Sequence, residues 1–140
     1  MRTLVRENIK NLKAYSSARD EFYGDAKVFL DANESPNGEL NRYPDPYQRE
    51  LKKLIAAEKN ISEKNILLGN GSDEIIDLVI RTFCEPQKDK ITILPPTYGM
   101  YKVCADINNV EIARINLTQN FELNTDEIVK NPTKILLSIF

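Results

Sequence analysis

Apolar residues along the chain switch between two rhythms. Tyr47, Leu51, Leu54 and Ile55 recur at helical spacing, as do Ile75, Ile76, Val79, Ile80 and Phe83. Short dense apolar runs, KVFLD from Lys27 to Asp31, Ile66-Leu67-Leu68, Lys90 to Leu94, Val110 to Leu117 and the closing KILLSIF, read as strands, the last with the continuous character of a buried parallel strand. The first helix is expected to start with Asp45 as N-cap, Pro46 at N1 and Gln48 at N3. Ser72 opens the second, with Asp73 and Glu74 where the helix dipole favours anions, and Pro86 stops it. A third helix is predicted over about 97–107, and a short one, DEIVKN, capped by Asn124 or Thr125. Helix and strand alternate from residue 46 onward, which is the signature of an α/β fold with a mostly parallel sheet.

Two stretches stand outside this alternation. Residues 1–26 mix charge with scattered apolar residues and read as an arm with one short helix. Residues 32–46, ANESPNGELNRYPDP, are dense in Asn, Pro, Asp and Gly, which mark a loop because they fix turns or bond their own backbone. A loop of that length is uncommon in a compact domain unless it is functional.

The composition removes several chemistries. The 140 residues contain no histidine, so histidine-based triads, histidine metal ligands and histidine pH switches are absent from this stretch. No metal site is expected. Cys84 and Cys104 form no C-x-x-C pair and read as buried thiols of a reducing compartment. With 19 basic and 21 acidic residues, the net charge of −2 gives no reason to expect nucleic acid or an anionic membrane as partner. No apolar run reaches the length of a bilayer span and the amino terminus lacks a signal-like apolar core, so the expected location is cytoplasmic. The apolar ending of the chain, where a loop at the carboxyl edge of a sheet should begin, raises the expectation of an amino-terminal part of a longer polypeptide.

Three segments carry chemistry. Gly69-Asn70-Gly71-Ser72-Asp73-Glu74, between an apolar run and an amphipathic helix, has the makings of a phosphate cradle: glycines for backbone approach, first-turn N–H groups and the Ser72 hydroxyl. It fits neither the G-x-G-x-x-G fingerprint nor a P-loop. Asp73 and Glu74 would repel an anion, so their side chains must turn aside or meet a cationic group. Pro95-Pro96-Thr97-Tyr98-Gly99-Met100-Tyr101 follows a strand and aims Tyr98 at the sheet edge, where its ring can stack on a planar ligand. Asn33-Glu34-Ser35-Pro36 and Asn41-Arg42-Tyr43-Pro44 place Arg42 and Tyr43 on the irregular loop as anion contacts. Taken singly, each segment also reads as an ordinary turn, cap or rim aromatic.

Together with the arm RENIKNLKAYSSAR, the segments DANESP, NRYPDP, GNGSDEIIDLVIRTFCEP and PPTYGMYKVCA resemble the histidinol-phosphate aminotransferases, a family of pyridoxal 5′-phosphate enzymes of fold type I. The resemblance implies that residues 1–30 are an amino-terminal arm and first strand. It implies that residues 31–140 are the incomplete start of the cofactor-binding large domain, a three-layer α/β/α architecture. Gly71, Ser72 and Asp73 would hold the cofactor phosphate and Tyr98 would stack on the pyridine ring. Tyr43 would reach the phosphate of the partner subunit's cofactor in a homodimer with shared active sites. Tyr15, Asn33 and Glu34 would lie near the substrate, Glu34 accepting from its imidazole. The family's Schiff-base lysine lies downstream, and none of the twelve lysines here stands in a similar serine-rich motif. The resemblance therefore implies an enzyme moving an amino group from L-histidinol phosphate to 2-oxoglutarate, with this chain inactive alone. A related enzyme such as threonine-phosphate decarboxylase, or a non-catalytic phosphate-binding module, are the other readings.

Overall fold

The computed structural model describes residues 3–24 and 26–139, and of Asp20 the backbone only. Met1, Arg2, Asp25 and Phe140, which fall in the expected arm and the last apolar run, lie outside them. The chain forms two compact units, Met1–Leu12 with Gly69–Phe140, and Lys13–Leu68.

The first unit carries the sheet. Helix α1 (Glu7–Lys10) is followed, beyond the second unit, by α4 (Ser72–Phe83), β1 (Lys90–Ile93), α5 (Met100–Ile107), β2 (Glu111–Arg114), α6 (Thr125–Lys130) and β3 (Ile135–Leu137). The three strands are parallel in the order β2-β1-β3, with Ile91 opposite both Ile112 and Ile135. This is the α/β architecture that the alternation predicts. The strand expected over 110–117 is regular only to Arg114, but Ile115 N donates to Ile93 O and Leu117 N to Pro95 O, so its pairing runs on past the ladder.

Alternation along β1 sorts its side chains. Ile91 and Ile93 join Ile80 of α4 and Tyr101, Cys104 and Ala105 of α5 in one buried cluster with Cys84 and Val110. Both cysteines are thus core thiols, and burial pushes that of Cys84 up to about 11. Thr92 points the other way, is buried too, and shares a hydrogen bond of 2.8 Å with the Thr133 hydroxyl, as a buried polar group requires. The arm enters this unit through Arg6. Its N–H bonds Thr82 O and its guanidinium bonds Arg81 O and the Glu85 carboxylate, so it satisfies carbonyls at the end of α4. Asn124 caps α6, its side chain accepting from Glu127 N, as expected from the sequence.

The second unit holds α2 (Ala18–Glu21), α3 (Arg49–Lys59) and a 3₁₀ turn (Glu63–Asn65). The strands expected over Lys27–Asp31 and Ile66–Leu68 do not form: none of the described residues of this unit is in a strand. A strand needs a neighbour for its N–H and C=O groups, and apolar spacing alone does not supply one. Val28 and Leu30 are accordingly exposed. Helix α3 begins at Arg49 and not at Pro46, because Gln48 sits at φ 47°, ψ 44° and interrupts the helical run. Asp45 still serves the helix start, accepting from Tyr47 N at 3.0 Å and Arg49 N at 2.9 Å.

Candidate functional site

The first unit brings four of the sequence-predicted residues together at the start of α4. Gly71 is the N-cap, at φ 85° and ψ 172°, a conformation that essentially only glycine adopts. A β-carbon there would meet nothing within 4 Å, so the requirement is conformational and not one of space. At Gly69 the reverse holds: a β-carbon would lie 2.6 Å from Ile75 Cδ1 and 2.8 Å from Glu74 Oε2, the side chains that fold back over the turn.

The turn's own donors are engaged. Gly71 N bonds Gly69 O, and Asn70 N bonds the Glu74 carboxylate. Glu74 thereby folds back over the turn, and its charge is met there by a backbone N–H and not by a cationic group. Gly71 has no side chain to cap α4, and the N–H groups of Ser72, Asp73 and Glu74 have no carbonyl within the helix. Such a helix start attracts anions.

Asp73 resolves its own charge differently. Its Oδ2 accepts from the Tyr98 hydroxyl at 3.3 Å, while Oδ1 is buried with no hydrogen-bond partner among the described residues. The Tyr98 ring is held edge-on by Tyr101, centroids 5.8 Å apart, and Tyr101 is anchored through its hydroxyl to Ser138 O. The hydrogen bond to Asp73, followed by burial, raises the pKa of the Tyr98 phenol above the ordinary tyrosine value. Two segments separated by 25 residues thus meet.

The second unit gathers Asn33, Glu34 and Tyr43. The Glu34 side chain is only 6% exposed. Its Oε1 accepts from Tyr43 N at 2.9 Å and its Oε2 from Arg42 Nη1 at 2.8 Å. Arg19 Nη1 stands 3.9 Å from Oε1 and is fixed by a forked pair of bonds to Asp31 and by the Phe29 ring beneath it. The bond from Tyr43 N, then that from Arg42, holds the Glu34 carboxyl below its ordinary pKa. Arg42, expected as an anion contact, is paired here with Glu34. Tyr43 itself is 64% exposed, and its hydroxyl has no partner among the described residues. Asn33 is exposed beside Glu34; Tyr15 is exposed and makes no hydrogen bond or ring contact among the described residues. The Arg19–Asp31 pair escaped the sequence reading, since a spacing of 12 residues within irregular chain has no periodic signal.

A parallel sheet, an uncapped helix start and an aromatic ring beside it define the class. Residues 15–137 match the family described as aminotransferase class I and II, and the chain belongs to it. Within that family it is similar to a histidinol-phosphate aminotransferase of Parabacteroides distasonis, 52% identical over 141 residues that cover 100% of this chain and 41% of the relative. The enzyme of that name from Flavobacterium psychrophilum is 57% identical over 132 residues, covering 91% and 38%. Among solved structures, the histidinol-phosphate aminotransferase from Clostridium acetobutylicum aligns with a TM-score of 0.56 at 32% identity, over 65% of this chain and 26% of that one. The chain spans 41% and 38% of the length of these two curated relatives.

Proposed function

We propose that the protein to which this chain belongs transfers the amino group of L-histidinol phosphate to 2-oxoglutarate, giving imidazole acetol phosphate and glutamate in histidine biosynthesis. The observation that carries the reading is the start of α4. Its first-turn amides and the glycine-only backbone at Gly71, with the Tyr98 ring tied to Asp73 beside them, fit a phosphorylated planar cofactor. The names of the relatives at 52–57% identity support the substrate.

Gly71, Ser72, Asp73 and Tyr98 would hold pyridoxal 5′-phosphate. When bound, that cofactor supplies an electron sink for the carbon that exchanges its amino group. The residues of this chain bind and orient. The Ser72 hydroxyl and first-turn N–H groups take the phosphate, and the Tyr98 ring, steadied by Asp73 and Tyr101, covers the ring plane. Tyr43 donates to the phosphate of the partner subunit's cofactor in a homodimer whose sites are shared, with Tyr15 and Asn33 near the substrate. Residues 1–30 act as the arm and residues 31–140 as the start of the cofactor-binding large domain of a cytoplasmic enzyme. Without the downstream lysine this chain alone moves no proton and is inactive: incubated with cofactor and both substrates it should release no glutamate, and turnover near that of the longer protein would refute this.

The full-length protein provides the test. Glutamate should form from L-histidinol phosphate and 2-oxoglutarate, and not without the phosphorylated amine. Loss of carbon dioxide from threonine phosphate, with no glutamate formed, would instead assign the decarboxylase reading.

A further inference from the structure

The carboxylate of Glu34 is covered and has a donor on each oxygen, and binding of cofactor does not by itself require it. A carboxylate shielded from water must be paired and hydrogen-bonded to stay ionised. Both oxygens of Glu34 have donors, and the one on Oε1 is the backbone N–H of Tyr43. A second tie joins the same two loop segments, Asn41 Nδ2 donating to Ser35 O at 2.6 Å. Pro44 then fixes the backbone that follows and disfavours helical geometry at Tyr43. The base of Tyr43 is therefore held from both sides while its phenol stays exposed, without a partner among the described residues.

We propose that Glu34 is a positioning residue for Tyr43, fixing the backbone from which the phenol reaches the cofactor phosphate, and that it is not a substrate contact. With 6% of its side chain exposed and a donor on each oxygen, it has little surface to offer an incoming imidazole N–H. Arg19, locked to Asp31 and seated on Phe29, stands behind it as a counter-charge that does not depend on any ligand. A loop with no helix or strand of its own gains in this way the fixed geometry that a cofactor contact needs.

The proposal rests on the reading of Tyr43 as a contact to the cofactor phosphate, so the test separates the two. The full-length protein, freed of cofactor, is titrated with pyridoxal 5′-phosphate by absorbance. Tyr43→Phe alone should weaken binding about tenfold; unchanged affinity in this variant defeats the Tyr43 reading and this inference with it. Glu34→Ala should weaken binding to a similar degree, and the double variant should lose no more than about twofold beyond either single one. In the cofactor-free protein, hydrogen exchange in a peptide covering residues 41–47 should rise in Glu34→Ala. Glu34→Gln, which keeps an oxygen to accept from Tyr43 N, should restore most of the affinity and the protection. If Tyr43→Phe weakens binding while Glu34→Ala leaves affinity and exchange unchanged, or raises only the KM for histidinol phosphate, Glu34 does not act through Tyr43.

Discussion

The hydroxyl of Tyr98 donates to Asp73 Oδ2 across 3.3 Å, joining the segment after β1 to the first turn of α4. Placed there, Asp73 serves as an acceptor that fixes an aromatic ring, although its sequence position alone suggests a charge hostile to phosphate. The bond favours the neutral phenol, so the pKa of Tyr98 lies above the ordinary 10. By linkage, its contribution to stability is complete below pH 10 and is lost as pH rises through the elevated value. Ultraviolet difference titration should show one tyrosine ionising later than the rest. Asp73→Asn should bring that step back toward the others; a late step that persists in Asp73→Asn would assign it to another tyrosine.

Gly71 has a conformational and not a spatial role. Forcing a side chain into φ 85° and ψ 172° strains the backbone by about 1–3 kcal/mol. In the full-length protein, Gly71→Val should weaken cofactor binding while far-ultraviolet circular dichroism keeps its helical signal. Ser72→Ala removes one hydroxyl donor and should cost less, about 1–2 kcal/mol. Equal cofactor affinity in wild type and Gly71→Val would mean that the turn is not a cradle.

Arg6 closes the carboxyl end of α4 through Thr82 O, Arg81 O and Glu85. Arg6→Ala keeps the main-chain bond to Thr82 and loses the other two, so the loss of stability should be about 1–2 kcal/mol. Denaturant unfolding of the full-length protein should show a lower midpoint at unchanged slope, with cofactor affinity intact. A midpoint within error of wild type would reduce the contact to a surface ornament.

A cross-subunit Tyr43 predicts complementation. Full-length Tyr43→Phe mixed with a variant lacking the cofactor-bonding lysine forms heterodimers in which one of the two sites carries both defects and the other neither. Mixing should therefore restore part of the activity. If heterodimers form and activity never returns, Tyr43 serves its own subunit.

What the sequence disclosed follows from the range of the forces involved. Helix α4 was legible because its apolar spacing, the Gly71-Ser72 start and the stop at Pro86 are all local. So was the Asn124 cap, a contact three residues long. The parallel sheet was legible as a pattern of alternation. The run KVFLD misled because a strand is defined by its partner, which no window of five residues contains. Gln48 misled because its left-handed backbone delays α3 without any glycine to announce it. Arg6 on Glu85 spans 79 residues and has no local trace. Glu34 was recognised as chemically important, but its partners, Arg42 and Tyr43 N, lie across a loop whose folding back no periodicity records.

The strand order β2-β1-β3 also bears on how the chain is made. As it leaves the ribosome, β1 appears before either neighbour. The β1–α5–β2 crossover is short and can close while synthesis continues, whereas the other edge of β1 waits for Ile135–Leu137. Until those three residues emerge, a nascent chain carries a bare strand edge, and Thr92 and Thr133 have not yet met. A ribosome stalled in that interval would display an adhesive surface, and holdase chaperones bind surfaces of this kind.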